Sequence, residues 1–260
     1  MRPIAKFLAR RLAALAGREL VPAGTLAEMS DKVLLGEKAL LLSMVEDGRL
    51  REALDLLPHS PSQLNQDFFA LSATGWKRSG FFVEFGATDG VTLSNSYLLE
   101  KHFGWRGILA EPGRVWRGRL ESSGRSAAKD YDCVWSKTGE TLSFCEAEWS
   151  ETSTIEAFSA RDHHERRRAR RYDVRTVSLG DLLDRHDAPE TIDYLSIDTE
   201  GSEFAILETY DFASRPIGCI TVEHNYTPDR ERIHALLTSQ GYERCFEDLS
   251  QFDDWYVLVR

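Results

Sequence analysis

The ten residues from 81 to 90, FFVEFGATDG, place the strictest constraint on what this chain can fold into. Phe81–Phe85 is an almost continuous apolar run, which is typical of a strand buried on both faces of a parallel sheet. Gly86 and Gly90 follow, and glycine adopts backbone angles closed to other residues and lets a ligand approach the chain. Residues 94–102 then have a helical pattern. A strand, a glycine turn and a helix N-terminus together predict a nucleotide-type site.

The glycine spacing distinguishes between two kinds of nucleotide site. A dinucleotide fingerprint needs G-x-G-x-x-G, but Thr88 and Val91 stand where its second and third glycines would fall. The pattern present, Glu84-x-Gly86-x-x-x-Gly90, resembles motif I of class I S-adenosylmethionine (SAM)-dependent methyltransferases. In that class the acid holds the methionine end of the cofactor and the glycines pass under its ribose. A plain glycine turn in another α/β protein is the alternative interpretation.

Two more predicted strands end in acidic residues. Glu111 follows the apolar residues 107–110 and lies 21 residues after Gly90, close to the offset at which an acid on the next strand reaches ribose hydroxyls. Asp198 follows the apolar strand predicted at 194–197. Ligands bind beyond the carboxyl ends of parallel strands, so both acids are expected at the site. An ordinary surface acid at the end of a strand is the alternative for Glu111.

Four segments are similar to the successive signatures of the FkbM family of SAM-dependent methyltransferases: VEFGATDG (83–90), AEP (110–112), TVSLGDLL (176–183) and IDYLSIDTEGSE (192–203). The resemblance runs from about residue 62 to the C-terminus. It implies a Rossmann-like class I methyltransferase fold, with a mostly parallel seven-stranded sheet and helices on both faces, and O-methylation of a hydroxyl on a sugar or natural product. The expected cofactor-binding residues are Glu84, Gly86, Ala87, Asp89, Gly90, Asn95, Glu111, Pro112, Trp135, Ser136 and Asp198.

The segment TVEHNY, residues 221–226, ends the next predicted strand. His224 is the expected general base, because an imidazole with a pKa near 6.5 can accept a proton from a hydroxyl, and Asp198 is the second expected catalytic residue. A lone histidine with a structural role is the alternative. The oxygen-rich side chains of Asp198, Glu223 and Asn225 could instead hold Mg²⁺ or Ca²⁺, in an arrangement that resembles metal-dependent O-methyltransferases.

A polar insert between predicted strands is expected to face the acceptor, because such loops carry specificity. The expected substrate-binding residues are Thr152, Ser153, Thr154, Glu200, Glu223 and Asn225. Residues 161–175 contain seven arginines and three acids. They are interpreted as a solvated helix face, with an anion site for a phosphorylated or acidic acceptor as the alternative, because guanidinium groups pair with phosphate.

The charge balance argues against a nucleic-acid partner, since 32 basic residues face 42 acidic ones and the net charge is −10. Four scattered cysteines without a C-x-x-C pair predict reduced thiols in a cytoplasmic protein. Residues 1–20 carry five basic residues and one apolar helical stripe. Peripheral membrane contact through this segment is therefore an alternative to an ordinary terminal helix.

These patterns predict an N-terminal helical extension over residues 1–60 and a SAM-dependent methyltransferase domain over residues 61–260. The expected activity is O-methyl transfer to a hydroxyl of a sugar, a glycan or a related metabolite. One alternative is a nucleotide-dependent sugar-modifying enzyme or oxidoreductase on the same fold. The other is a non-catalytic module of this fold that docks a membrane or a partner.

Overall fold

The computed structural model describes residues 41–160, 166 and 168–259. The α-helices with assigned bounds are α1 (Leu50–Leu56), α2 (Gln66–Ala73), α3 (Tyr97–Phe103), α4 (Arg114–Glu121), α5 (Leu179–Arg185), α6 (Glu203–Leu207) and α7 (Asp229–Ser239). The strands are β1 (Phe81–Phe85), β2 (Arg106–Ala110), β3 (Ala128–Asp130), β4 (Cys133–Trp135), β5 (Thr141–Glu146), β6 (Thr154–Ile155), β7 (Arg170–Ser178), β8 (Ile192–Ile197), β9 (Ile217–Glu223), β10 (Tyr242–Cys245) and β11 (Asp253–Leu258). The basic segment 1–20, where the sequence predicts membrane contact as an alternative to an ordinary terminal helix, lies outside the described residues.

Seven strands form the central sheet in the order β10–β11–β9–β8–β1–β2–β3. Within it β11 runs antiparallel to both of its neighbours, and the other pairs are parallel. All five positions of β1 are buried, because this strand lies inside the sheet and both faces are covered. The predicted strand at 81–85 and the mostly parallel seven-stranded sheet are therefore confirmed.

The strand order reverses beside β1, and this reversal locates a ligand site. From β1 the chain passes to β2 and β3 on one side, and it later returns to β8 and β9 on the other side. Phe85 at the end of β1 is level with Ala110 at the end of β2 and with Ile197 at the end of β8. The loops that leave these strands diverge and open a crevice at the carboxyl edge of the sheet.

A second sheet, with the strand order β4–β7–β5–β6, is formed by the chain between β3 and α5. The strand predicted at 132–135 is β4 of this sheet, where it pairs with β7. The outer position of the central sheet is taken instead by β3, which pairs with β2. Since β3 is three residues long and contains Lys129 and Asp130, it has no apolar run to predict it from.

The part of the arginine-rich segment from Arg170 onward is strand β7, so the helix expected over residues 161–175 is wrong there. Arg171 and Arg175 are exposed, whereas Val174 and Thr176 are buried. This alternation is the two-residue period of a half-buried strand. Of residues 161–167, the structure describes Arg166 alone.

Apolar side chains pack against both faces of the central sheet. Phe68 and Phe69 of α2 are buried, and the Phe69 ring stacks on the Trp255 ring of β11 with 5.2 Å between centroids. Leu41 and Ala53 precede the predicted domain boundary at residue 61, yet they are buried in the same cluster. The described part of the N-terminal extension therefore contributes to the hydrophobic core.

The pairing of β1 with β2 requires a glycine at position 107. A Cβ atom built there lies 2.3 Å from the Phe82 backbone oxygen, so Gly107→Ala should lower the free energy of unfolding in urea by about 1–3 kcal/mol through overpacking. Gly118→Ala is the control, because Gly118 lies in α4 with no atom within 4 Å of the added Cβ. It should be neutral or stabilising by up to about 1 kcal/mol. Equal stability of the two variants would contradict this account.

Candidate active site

A pocket of about 1050 Å³, a volume that includes open solvent at its mouth, lies at the carboxyl edge of the central sheet. Residues at and after the ends of β1, β2 and β8 form its floor, and the second sheet and the loop around residues 150–153 form a side wall. The predicted site residues that line it are Glu84, Gly86, Ala87, Asn95, Glu111, Pro112, Ser153, Asp198 and Glu200. The structure thus brings the acids from three strand ends into one cavity.

The glycine turn after β1 packs directly against the loop after β8. Gly86 has φ +70°, and a Cβ built on it would lie 1.9 Å from the backbone oxygen of Asp198. Gly90, with φ +75°, lies beneath the turn, where a Cβ would contact Leu120 at 2.7 Å. No other residue type fits Gly86 without moving a backbone segment. The floor of the pocket is therefore a close approach of two backbones.

Glu84 is a buried carboxylate that organises the loop after the glycine turn. Its Oε1 accepts a hydrogen bond from the backbone N–H of Asn95 at 2.7 Å. Its Oε2 accepts bonds from the hydroxyl of Ser94 at 2.9 Å and from that of Ser96. These donors lie directly before α3, which begins at Tyr97 and not at residue 94 as expected. Oε1 keeps acceptor capacity for a ligand.

Glu111 is held in a similar way beyond the end of β2. Its Oε2 accepts from the backbone N–H of Thr88 at 2.9 Å, and its Oε1 accepts from that of Gly113 at 2.7 Å. Burial raises the pKa of Glu111 to about 7, although both backbone donors act to lower it. Each oxygen accepts one bond from the protein, so lone pairs remain for hydroxyl donors from a ligand.

Three carboxyl groups meet beyond β8 and β9. Ligand oxygens of Asp198, Glu200 and Glu223 lie within 4.8 Å of one another. Burial, followed by the nearby Asp198 and Glu200, raises the pKa of Glu223 well above its usual range. Arg166 pairs with Glu200 at 3.4 Å, and the amide of Asn225 donates to Glu223 at 2.8 Å. Oxygen ligands of this kind could hold a divalent cation, or they could share protons.

His224 lies away from the pocket, although the sequence placed it there as a general base. Its Nδ1 accepts a hydrogen bond from the backbone N–H of Tyr226 at 2.9 Å, and its Nε2 lies 3.7 Å from Asp254. The side chain is buried and does not line the cavity, and burial lowers its pKa. The catalytic role of His224 stays a prediction that this geometry does not favour.

Asp253 lines the pocket and was not identified from the sequence. Its Oδ2 accepts a hydrogen bond from the side-chain amide of Gln66 at 2.8 Å, and Gln66 also lines the pocket. Burial raises the pKa of Asp253 to about 7, and the negative charge of Asp198 acts in the same direction. β11 is antiparallel, so its first residue lies at the carboxyl edge beside Glu223. The only sequence signal for Asp253 as a site residue was its place in an acidic pair before an apolar strand.

The remaining predicted site residues do not line the cavity: Asp89, Gly90, Trp135, Ser136, Thr152, Thr154, Glu223 and Asn225. Asp89 accepts hydrogen bonds from the backbone N–H groups of Val91 and Thr92 and so shapes the turn. Trp135 packs edge-on against Phe158, and its neighbour Val134 lines the pocket. Their expected contacts with ligands stay predictions.

A seven-stranded sheet of this order, with acids from three strand ends in one pocket, is the architecture of a class I methyltransferase. Residues 84–256 match the Methyltransferase FkbM domain. The chain belongs to the FkbM methyltransferase family. The resemblance seen in the sequence is thereby confirmed.

Comparison with solved structures found a precorrin-6y C5,15-methyltransferase from Geobacter metallireducens GS-15, with 10% identity and a TM-score of 0.42. It also found a candidate RNA methyltransferase from Pyrococcus horikoshii, with 11% identity and a TM-score of 0.36. Each similarity covers 74% of this chain and 85% of the other. Comparison with curated proteins found no match. Among the described residues, no helix combines the length and hydropathy needed to cross a membrane.

Arg166 pairs with Glu200, and burial together with the nearby Asp198 and Glu200 raises the pKa of Glu223 well above its usual range, which favours its neutral form. We therefore expect the thermal unfolding midpoint to be the same in excess EDTA and in excess Mg²⁺ or Ca²⁺. A cation at a hundred times its Kd would add about 2.7 kcal/mol, which is a shift of several degrees. Such a shift in the wild type that is absent from Glu200→Gln would contradict the expectation and reveal a metal site.

Proposed function

We propose that the protein transfers the methyl group of SAM to a hydroxyl of a sugar, a glycan or a related natural product. One observation carries the proposal. The buried carboxyl groups of Glu84, one residue before the end of β1, and Glu111, the first residue after β2, line one pocket beside the glycine turn and keep acceptor lone pairs. A carboxylate suits both an ammonium group and a ribose diol.

Along the sheet edge, successive pocket residues fit successive parts of SAM. Glu84 would hold the α-amino group, and Glu111 would accept hydrogen bonds from the ribose hydroxyls. Gly86 fits this placement, because the space where its Cβ would lie is filled by backbone and the turn leaves no side chain over the floor. When bound, the cofactor supplies an electrophilic methyl group. The chain's own residues bind it, orient it and limit its exposure to water.

The acceptor side of the pocket is formed by Asp198, Glu200, Ser153 and Asp253. A hydroxyl is a weak nucleophile because its pKa lies far above neutrality, so a nearby carboxylate assists by taking its proton. Asp198 and Asp253 both line this side, and the pKa of Asp253 near 7 is suited to proton transfer at neutral pH. Positioning the hydroxyl in line with the methyl group is the other contribution.

The acceptor is an oxygen and not an amino group in this proposal. The loop after β8 reads Asp198-Thr199-Glu200-Gly201 and lacks the Asp/Asn-Pro-Pro-Tyr run of methylases that act on amino groups. Thr154, which was expected to contact the acceptor, instead donates its hydroxyl to the Glu200 backbone oxygen at 2.9 Å. Thr154 would therefore act by orienting Glu200 toward the substrate.

Incubation of the purified protein with methyl-labelled SAM and a panel of glycosides, sugar nucleotides and glycan extracts tests the proposal. We expect label in a product that gains one methyl group and keeps it in mild base, because a methyl ether survives conditions that cleave a methyl ester. Binding of NAD in place of SAM, measured by calorimetry, would overturn the assignment. Label confined to amino groups would overturn the choice of acceptor.

The pKa of Glu111 near 7 predicts a pH-dependent affinity for SAM. The ionised carboxyl accepts hydrogen bonds at every lone pair, so the affinity should rise by about tenfold between pH 6 and pH 8, as the group passes from mostly protonated to mostly ionised. Glu111→Gln should bind SAM about tenfold or more weakly at pH 8. The variant should also lose the part of the pH dependence that comes from this residue. Calorimetric titration at both pH values measures each effect, and identical profiles for the two proteins would contradict it.

Proton removal from the acceptor predicts different results for two kinds of variant. Asp198→Asn and Asp253→Asn should each lower turnover by about a hundredfold while SAM still binds, because an amide cannot accept the proton. His224→Gln should keep turnover close to the wild-type value, because the ring does not line the pocket. A hundredfold loss in His224→Gln, with both aspartate variants active, would restore the histidine as the base.

A further inference from the structure

Arg125 places a fully buried guanidinium group beneath the glycine turn, with its side chain 0% exposed. Its Nε donates to Glu100 at 2.7 Å, its Nη1 donates to the Gly90 backbone oxygen at 2.5 Å, and its Nη2 donates to the Ser96 hydroxyl at 2.8 Å. Nη1 also lies 3.1 Å from the Ser94 hydroxyl, as a second donor contact. One side chain therefore ties the turn to the loop that precedes α3.

The two serine hydroxyls connect this cation to the carboxylate of Glu84. The hydroxyls of Ser94 and Ser96 each accept from Arg125, and each donates to Oε2 of Glu84. A hydroxyl that accepts from a guanidinium has its own proton directed away from that group. Both hydroxyl protons are thus fixed on Oε2, and among the described residues Oε1 has a single donor, the Asn95 N–H.

The ion pair with Glu100 holds the guanidinium in place independently of the pocket. Glu100 is buried, but hydrogen bonding from Ser126 and the charge of Arg125 outweigh that burial and lower its pKa. Phe82 and Tyr97 lie on the guanidinium at 5.4 and 5.6 Å from its central carbon to their ring centroids. These contacts fix the orientation of the planar guanidinium group of Arg125. A lysine has a single ammonium group and cannot make the same set of hydrogen bonds.

We propose that Arg125 is a positioning residue for the amino-acid end of the cofactor: through Ser94 and Ser96 it fixes the Glu84 carboxylate so that Oε1 faces the pocket. The inference rests on the proposed function, in which Glu84 holds the α-amino group. It differs from a general structural role in one respect. A structural defect would weaken every ligand of the pocket, whereas a defect at Glu84 weakens those that carry the amino acid.

Two ligands separate these cases: S-adenosylhomocysteine and 5′-methylthioadenosine, which contains the adenosine and sulfur but has no amino acid. Arg125→Lys should bind S-adenosylhomocysteine about tenfold or more weakly and bind 5′-methylthioadenosine within about twofold of the wild type. Calorimetric titration measures both constants, and circular dichroism checks folding. Arg106→Lys, the same change at an exposed position of β2, should alter neither constant.

Ser96→Ala removes one of the connecting hydroxyls and keeps the ion pair of Arg125 with Glu100. It is the second test variant, to be used if Arg125→Lys fails to fold. It should show the same selective loss. Glu111→Gln is the opposite control and should weaken both ligands, because both contain the ribose. Equal losses for the two ligands, or no loss for either, in the folded variants would overturn the proposal. A wild type that binds neither ligand would instead refute the proposed function.

Discussion

The buried carboxylate of Glu84 is the constraint on which the rest of the site depends. A negative charge inside the protein is costly unless donors surround it, and here the donors come from three consecutive residues after the glycine turn. Glu84 thereby holds residues 94–96 at the sheet edge, and α3 begins directly after them at Tyr97. Ser94 and Asn95 line the pocket, so this one side chain fixes part of the pocket wall.

Where sequence periodicity was strong, the fold could be predicted. β1 and β8 are mostly apolar because both of their faces are buried, and the acids at or just after their ends mark the carboxyl edge of the sheet. The second sheet was not predictable as a sheet. β5 and β7 are half-buried and rich in polar residues, and their partners are set by contacts between distant parts of the chain. β3 is too short to carry a pattern of its own.

The candidate site likewise contains residues that could be predicted from the sequence and residues that could not. Glu111 and Asp198 were identifiable because each follows a recognisable strand, and Glu84 because it lies at the end of β1, two residues before the first glycine of the turn. Asp253 was missed because it precedes its strand, and only the antiparallel direction of β11 places it at the carboxyl edge. His224 shows the converse difficulty, although its catalytic role stays a prediction. It follows β9 at the expected edge, but the direction of its ring depends on backbone geometry that no spacing rule contains.

Gly86 has a consequence for how this enzyme can change. The turn that it forms touches the backbone after β8 so closely that no side chain fits between them. In the proposed arrangement, the turn beneath the methyl donor and Asp198 beside the acceptor therefore cannot move independently of each other. Substitutions in the second sheet, which forms the outer wall, would change which molecules enter the pocket. The distance between the methyl donor and the acceptor hydroxyl would stay the same, because the central sheet sets it.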